Sequence, residues 1–337
     1  MTIQALFICG SLNQTQIMHQ ISSHLTDWVC RFTPFYADGW LESFGNNQIF
    51  DHTILGGNHR RTSIEYLIDH DLPIDEKGKT GNYDIVVTGT DLIVQENIRG
   101  QRLVLVQEGM TEPEDWIYQL VRSYNLPRYF ANTAATGLSD AYDAFCVASH
   151  GYRDLFMRKG VKPEKMVVTG IPNFDNARAY LQNDFPYYGY VLAATSSLRE
   201  TFKFDDRLGF LRQVKDLAAG SRVFFKLHPN ENHARAIAEI RLFFPDSPIY
   251  IDGNLHHMIA NCSVLIAQRT SAVYTALTLG KEVHCDFEIS QLEQLQPIQN
   301  GGTSAQNIAG VCRQLASIPV ADLKHPAGKT AVGNFSP

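Results

Sequence analysis

Two stretches of this sequence place reactive side chains where an apolar run ends. Phe224-Phe225-Lys226-Leu227 leads into His228-Pro229-Asn230-Glu231, and Ile266-Ala267-Gln268 leads into Arg269-Thr270-Ser271. Each reads as a buried strand opening into polar residues. Pro229 fixes the turn after His228, so the imidazole is held at a strand end rather than on a helix face. Thr270 and Ser271 stand where a helix should begin. Their hydroxyls either cap it or share its free N–H groups with a bound anion, since capping and phosphate binding use the same donors. Thr195-Ser196-Ser197 forms a second hydroxyl-rich strand-to-helix loop with the same two readings. Together with the cations Lys226 and Arg269, these residues suit a diphosphate or a nucleotide monophosphate at the carboxyl ends of neighbouring strands.

The first half of the chain offers a different chemistry. Glu108 follows the apolar run Arg102–Val106 and precedes Gly109, which permits a tight turn that exposes the carboxylate. A carboxylate so placed can act as general base, with Glu112 and Glu114 as nearby rivals and a plain surface role as the alternative. Gly10, Ser11 and Asn13 follow the strand-like Ala5–Cys9, and His150 follows the strand ending at Ala148; these are candidates for the acceptor side. Gly10-Ser11 is not a GxGxxG fingerprint, so a dinucleotide cofactor is not indicated. No Cys or His spacing suggests a metal site: no CxxC occurs, and the pairs His59-Arg60-Arg61 and His256-His257 are adjacent in sequence.

The elements that must position these groups alternate between strand and helix almost throughout, the pattern of parallel sheets with helices on both faces. Strands are expected around 5–9, 84–88, 102–106, 144–148, 165–169, 190–194, 222–227, 248–251, 264–267 and 281–284. Helical spacing begins at Gln16 (Ile17, Ile21, Leu25) and recurs at Leu208, Leu211 and Val214, and at Ile237, Ile240 and Phe244. The Pro- and Gly-bearing stretch 183–189 reads as a linker. The expected fold class is α/β: a domain over 1–178, a second over 186–323 and a loosely ordered tail over 324–337, the break falling near 175–188.

Bulk properties narrow the options. A chain of 337 residues is too long for one ordinary core. Hydrophobic and charged fractions of 44% and 19% are those of a soluble globular protein. A net charge of -6 argues against a broad nucleic-acid-binding surface. The six cysteines are scattered, no basic leader opens the chain, and no apolar run approaches the roughly 18 residues of a membrane span. The expectation is a cytoplasmic protein with reduced thiols, compatible with peripheral membrane association.

Several of these segments resemble known elements. Val168-Thr169-Gly170-Ile171-Pro172-Asn173-Phe174-Asp175 resembles the TGxPxxD junction of CDP-glycerol glycerophosphotransferases and, more loosely, of UDP-GlcNAc 2-epimerases. Lys226-Leu227-His228-Pro229 is similar to the KxHP element of CDP-glycerol transferases, bacterial sialyltransferases and capsule Kdo transferases. Thr270-Ser271 with Ala276–Lys281 resembles their SS/TS…EALLxGKP segment, and Gln107-Glu108-Gly109 resembles the acidic-acidic-Gly element whose second acid is the base in bacterial sialyltransferases. Two departures stand out: Thr275 replaces an acidic residue that often contacts the donor ribose, and Glu282 replaces the Pro of GKP.

The resemblance implies a GT-B arrangement, two Rossmann-like domains facing across a cleft. It implies an inverting, metal-independent glycosyltransferase of surface polysaccharide or capsule synthesis. The first domain would bind a glycan or lipid-linked acceptor and present its hydroxyl to Glu108. The second would bind the nucleotide-sugar donor, CMP- or CDP-linked in preference to UDP, through Lys226, His228, Pro229, Arg269, Thr270, Ser271 and the Thr195-Ser196-Ser197 loop. No separate cofactor is expected. A non-hydrolysing UDP-GlcNAc 2-epimerase and a non-catalytic sugar-nucleotide-binding protein are the alternatives.

Overall fold

The structure is a computed structural model and describes residues 2–39, 57–201 and 203–319. The expected tail over 324–337 lies outside the described residues. The chain divides into two compact units, one formed by Met1–Asp175 with Pro297–Pro337, the other by Asn176–Gln296.

The first unit holds a six-stranded parallel sheet in the order β2-β1-β3-β4-β5-β6. The strands are β1 (Gln4–Cys9), β2 (Val29–Pro34), β3 (Ile85–Thr88), β4 (Arg102–Val106), β5 (Ala144–Val147) and β6 (Met166–Val168). β1, β3, β4 and β5 are near-continuous apolar runs buried on both faces, as a helix-covered parallel sheet requires. Order reverses between β1 and β3, and a ligand crevice is expected at such a switch point, outside the carboxyl ends of the strands. The second unit repeats the plan with β7 (Val191–Ala194), β8 (Val223–Lys226), β9 (Ile249–Tyr250), β10 (Val264–Ala267) and β11 (Glu282–His284). Its order is β11-β10-β7-β8-β9, with the switch between β7 and β10.

Several helices start where the sequence supplies caps. Ser11 caps α1 (Leu12–Ser23) by accepting from the Gln14 N–H, so the helix begins four residues before the apolar spacing at Gln16 announces it. α2 spans Gly57–Asp69. Asp115 caps α3 (Trp116–Tyr124), Ser149 caps α4 (His150–Lys159), and Asp206 caps α5 (Arg207–Ala218). Asn232 and Asn254 cap α6 (His233–Phe243) and α7 (Leu255–Asn261). Two short helices follow, α8 (Val273–Thr278) and α9 (Ile289–Leu295), and then α10 (Ser304–Ser317).

α10 corrects the expected partition, which assigned everything up to residue 323 to the second domain. Ala305, Ile308, Ala309, Val311, Cys312 and Leu315 lie on one helical face and share a core with Ala5, Phe7, Ile17, Val104 and Cys146 of the first unit. Helical spacing reveals that a face is apolar, but not which sheet it covers. The stretch 183–189 is likewise not a free linker. Asn183 and Asn261 exchange side-chain amide hydrogen bonds of 3.1 Å in both directions, and the Gly189 N–H donates to Asn261 O, within the second unit.

The junction Val168–Asp175 has a structural task. Gly170 takes φ +74°, and a Cβ there would sit 2.3 Å from Ser304 Oγ, so glycine is required on both counts. Buried Asp175 accepts from the Ser304 N–H at 2.8 Å and so caps α10, whose own N-cap residue, Thr303, makes no side-chain cap bond. Asp175→Ala is expected to destabilise the first unit by about 0.5–2 kcal/mol through loss of this cap. A chemical denaturation midpoint unchanged from wild type would rule that role out.

Candidate functional site

In the first unit the loops after β1 and β4 meet around one carboxylate. Ser11 Oγ donates to Glu108 Oε1 at 2.7 Å and Asn13 Nδ2 to the same oxygen at 3.2 Å. Gln14 Nε2 donates to Glu108 Oε2 at 2.6 Å. None of these partners is charged, so neutral dipoles hold the carboxylate. An ionised carboxylate offers about four lone-pair sites, and three are taken here. The remaining one is on Oε2. Glu108 is half-buried.

The supporting side chains lock together. Gln107 is buried, accepts from the Ala148 N–H at 2.9 Å and donates to Gly109 O at 2.8 Å, fixing the turn that carries Glu108. Asn13 accepts from Asn173 of the junction. Ser63 of α2 donates to Gly10 O at 2.9 Å and accepts from Thr15 at 3.0 Å. Gly10, Ser11 and Asn13 thus converge with Glu108. His150 does not join them: it is the exposed first residue of α4. Glu114 is drawn elsewhere, 4.0 Å from the buried ammonium of Lys159, and the Glu112 N–H donates to Thr133 Oγ1. Gln14 was not singled out in the sequence: it lies three positions before Ile17, and nothing in that spacing shows that its amide reaches a strand end.

In the second unit the strand-end side chains bind mainly one another. Thr195 Oγ1 donates to Glu231 Oε2 at 2.5 Å and accepts from the His228 N–H at 3.2 Å. Ser196 Oγ donates to Gln268 Oε1 at 2.8 Å, and Gln268 Nε2 donates to Asp205 at 2.9 Å. Beneath them Arg207, 2% exposed, pairs with Glu231 at 2.5 Å and with Asp205 at 3.4 Å. Arg199 reaches Asp205 at 2.9 Å and Glu239 at 2.7 Å. This network crosses the ends of β7, β8 and β10. His228 Nδ1 accepts from the Asn230 N–H at 3.1 Å, which puts the proton of the neutral ring on Nε2.

Three sequence expectations change accordingly. Thr195 and Ser196 neither cap a helix nor line an open cradle: they are buried, and α5 starts later, at the Asp206 cap. Lys226 is buried too, its ammonium donating to Ile251 O at 2.7 Å and Leu227 O at 3.1 Å instead of standing at the strand end. Burial lowers its pKa, a nearby Asp252 charge opposing this. Thr270 and Ser271 precede a helix of only six residues whose N-cap is Ala272, with Thr270 Oγ1 accepting from the Ala272 N–H at 3.3 Å. Their dipole contribution is correspondingly short. Half-buried Ser197, His228, Thr270 and Ser271, and exposed Pro229 and Arg269, are the expected donor residues that keep solvent access. Arg269 lies 4.0 Å from Asp286. Glu231, Gln268, Asp205 and Arg207 were missed, although Glu231 stands three residues after His228.

Thr275, where an acidic residue was expected, is buried and hydrogen-bonded to His256 Nδ1 at 2.9 Å. His256 stacks on Tyr180 at 4.6 Å, and burial, aided by neighbouring His257, pushes its pKa down to about 4. A carboxylate at 275 would face this neutral ring in a closed space. A cavity of about 370 Å³ lies at the amino ends of β8 and β9, lined by Lys215, Arg222, Phe244 and Pro248. It is at the wrong end of the sheet for the strand-end groups described above.

Two doubly wound parallel sheets, each with its polar loops at the carboxyl strand ends, match known architectures. A protein from Listeria monocytogenes assigned as a UDP-N-acetylglucosamine 2-epimerase superimposes with a TM-score of 0.60 at 12% identity, over 98% of this chain and 100% of that one. The UDP-GlcNAc 2-epimerase of Neisseria meningitidis, bound to UDP-GlcNAc, gives 0.56 at 12% identity over 93% and 100%. A variant of the wall teichoic acid polymerase TagF soaked with CDPG gives 0.51 at 11% identity over 94% and 89%. The fold is GT-B-like. No protein-family model matches the sequence, and no curated protein sequence does. Among the described residues no helix is long and apolar enough to cross a membrane, and no three His, Cys, Asp or Glu residues cluster as metal ligands.

Proposed function

We propose that the protein is an inverting glycosyltransferase that moves a sugar, or a sugar-like group, from a nucleotide-activated donor to a hydroxyl acceptor in surface-glycan synthesis. The observation that carries this reading is Glu108: a carboxylate at a strand end, held by Ser11, Asn13 and Gln14, with one lone-pair site of Oε2 still available. In the reaction the acceptor hydroxyl gives its proton to Oε2 as its oxygen bonds to the anomeric carbon. The bond from that carbon to the nucleotide phosphate oxygen breaks on the opposite face, inverting the centre. His228, Ser271 and Arg269 then stabilise the phosphate that leaves, with no divalent metal required. The KLHP element and the likeness to a CDPG-soaked TagF variant favour a cytidine nucleotide.

A thermal-shift series with CMP, CDP, UDP, GDP and ADP tests the donor side, because a ligand bound only by the folded state raises apparent stability. One pyrimidine nucleotide is expected to stabilise the protein. His228→Ala should weaken it by about ten- to a hundredfold, the worth of one hydrogen bond to a charged phosphate. No stabilisation by any of the five, or a full shift in His228→Ala, would remove the donor assignment. The resemblance of the TGxPxxD junction to that of 2-epimerases, and the likeness in fold to two proteins so described, support a second reading, 2-epimerisation of UDP-GlcNAc. It needs no acceptor, so the appearance of the epimer from UDP-GlcNAc alone would select it.

A further inference from the structure

The amide of Gln14 is packed in an unusual way. The residue is 4% exposed, and its Nε2 makes the shortest of the three bonds to Glu108, at 2.6 Å. Its Oε1 is buried and has no hydrogen-bond partner. Room for the side chain comes from two glycines at neighbouring strand ends. A Cβ on Gly10 would lie 2.0 Å from Gln14 Oε1, and one on Gly89, after β3, would lie 2.9 Å from Gln14 Cδ. A side chain at position 10 would have to displace the Gln14 amide, so Gly10 gives it space rather than backbone freedom, its φ not being positive.

A buried carbonyl without a donor destabilises the fold, and an apolar residue of the same shape would avoid that. If Gln14 only filled volume between the glycines, methionine would serve better. What methionine lacks is the N–H aimed at Oε2, the oxygen that keeps an available lone pair. Ser11 and Asn13 both bind Oε1, so Gln14 is the one residue among the described hydrogen-bond partners that fixes Oε2. We propose that Gln14 is a positioning residue for Glu108. It orients the proton-accepting oxygen, at a cost in stability carried by its own orphaned carbonyl. The proposal rests on Glu108 as the reactive carboxylate, but its test does not require turnover.

The test is a ¹³C NMR titration of protein labelled at glutamate carboxyls, the Glu108 signal being the one missing from E108Q. Gln14→Met removes the donor and should raise the Glu108 titration midpoint by about one pH unit, since a hydrogen bond to the charged form is lost. Gln14→Glu places a second carboxylate against Oε2, and the coupled pair should hold a proton about two units or more above the wild-type midpoint. Gln14→Met should also melt at or above the wild-type temperature, the opposite of what loss of a structural residue gives. Midpoints unchanged in both variants, or a Gln14→Met protein that melts several degrees lower with an unchanged midpoint, would make Gln14 structural and overturn the proposal. Failure of the glycosyltransferase reading would show separately, as E108Q retaining nucleotide-sugar turnover while the midpoints still move.

Discussion

Glu108→Gln is expected to cut turnover by about 10²–10⁴-fold while leaving nucleotide affinity at the wild-type level, the signature of a general base removed from an otherwise intact site. The fold has reason to tolerate the change. The new amide can keep its oxygen towards Ser11 Oγ and Asn13 Nδ2, which occupy the Oε1 side. Its NH₂ then meets Gln14 Nε2, donor against donor, and the conflict is relieved if the Gln14 amide turns over. That rotation lets Gln14 Oε1 accept from residue 108 but moves its NH₂ into the buried position where Oε1 has no partner in the wild type, so one orphaned group replaces another. Stability should therefore stay near the wild-type level as activity falls. Turnover within a few-fold of wild type, measured as nucleotide release from CMP-, CDP- and UDP-linked donors with acceptor present, would return Glu108 to a structural role.

The second large effect belongs to the buried pair Arg207–Glu231. Both side chains are at most 3% exposed, and Glu231 also accepts from Thr195 Oγ1 and lies 3.4 Å from the His228 N–H. Glu231→Ala leaves a guanidinium buried beside Asp205 with its main partner gone, and should destabilise the second unit by about 3–5 kcal/mol. Arg207→Met should cost a similar amount by orphaning Glu231. The double variant Arg207→Met/Glu231→Leu should cost far less than the sum, because no unpaired charge remains. The turn carrying His228 would loosen in each single variant, so nucleotide affinity should fall with stability. All three tryptophans precede Asp175, which leaves the second unit without an indole reporter, so its unfolding is best followed by far-UV circular dichroism. Single changes that cost under about 1 kcal/mol and add in the double variant would mean the pair is not energetically coupled.

Apolar runs such as Ala5–Cys9, Leu103–Val106 and Val223–Phe225 identified buried parallel strands directly from the sequence. Continuous hydrophobicity of strand length has few other uses in an alternating α/β chain. The turn residues after them, Gly10-Ser11, Glu108-Gly109 and His228-Pro229, were equally legible, because polar residues, Gly and Pro directly after an apolar run mark where a strand ends. Which of these groups meet was not. Ser11 and Glu108 are 97 positions apart and Thr195 and Glu231 are 36 apart, and their pairing depends on strand order, which no local pattern encodes. The same limit hid α10, whose apolar face would suit either sheet until packing assigned it to the first. It also hid whether a polar side chain turns outward or back. Lys226, Thr195 and Ser196 have the composition of an anion site, but tertiary contacts supplied them with partners inside the protein, and a buried donor with such a partner is not released to solvent without cost. Sequence alone thus determined the strands and the chemistry available at their ends. The tertiary structure decided which of those groups face one another, because that depends on strand order and burial rather than on neighbours along the chain.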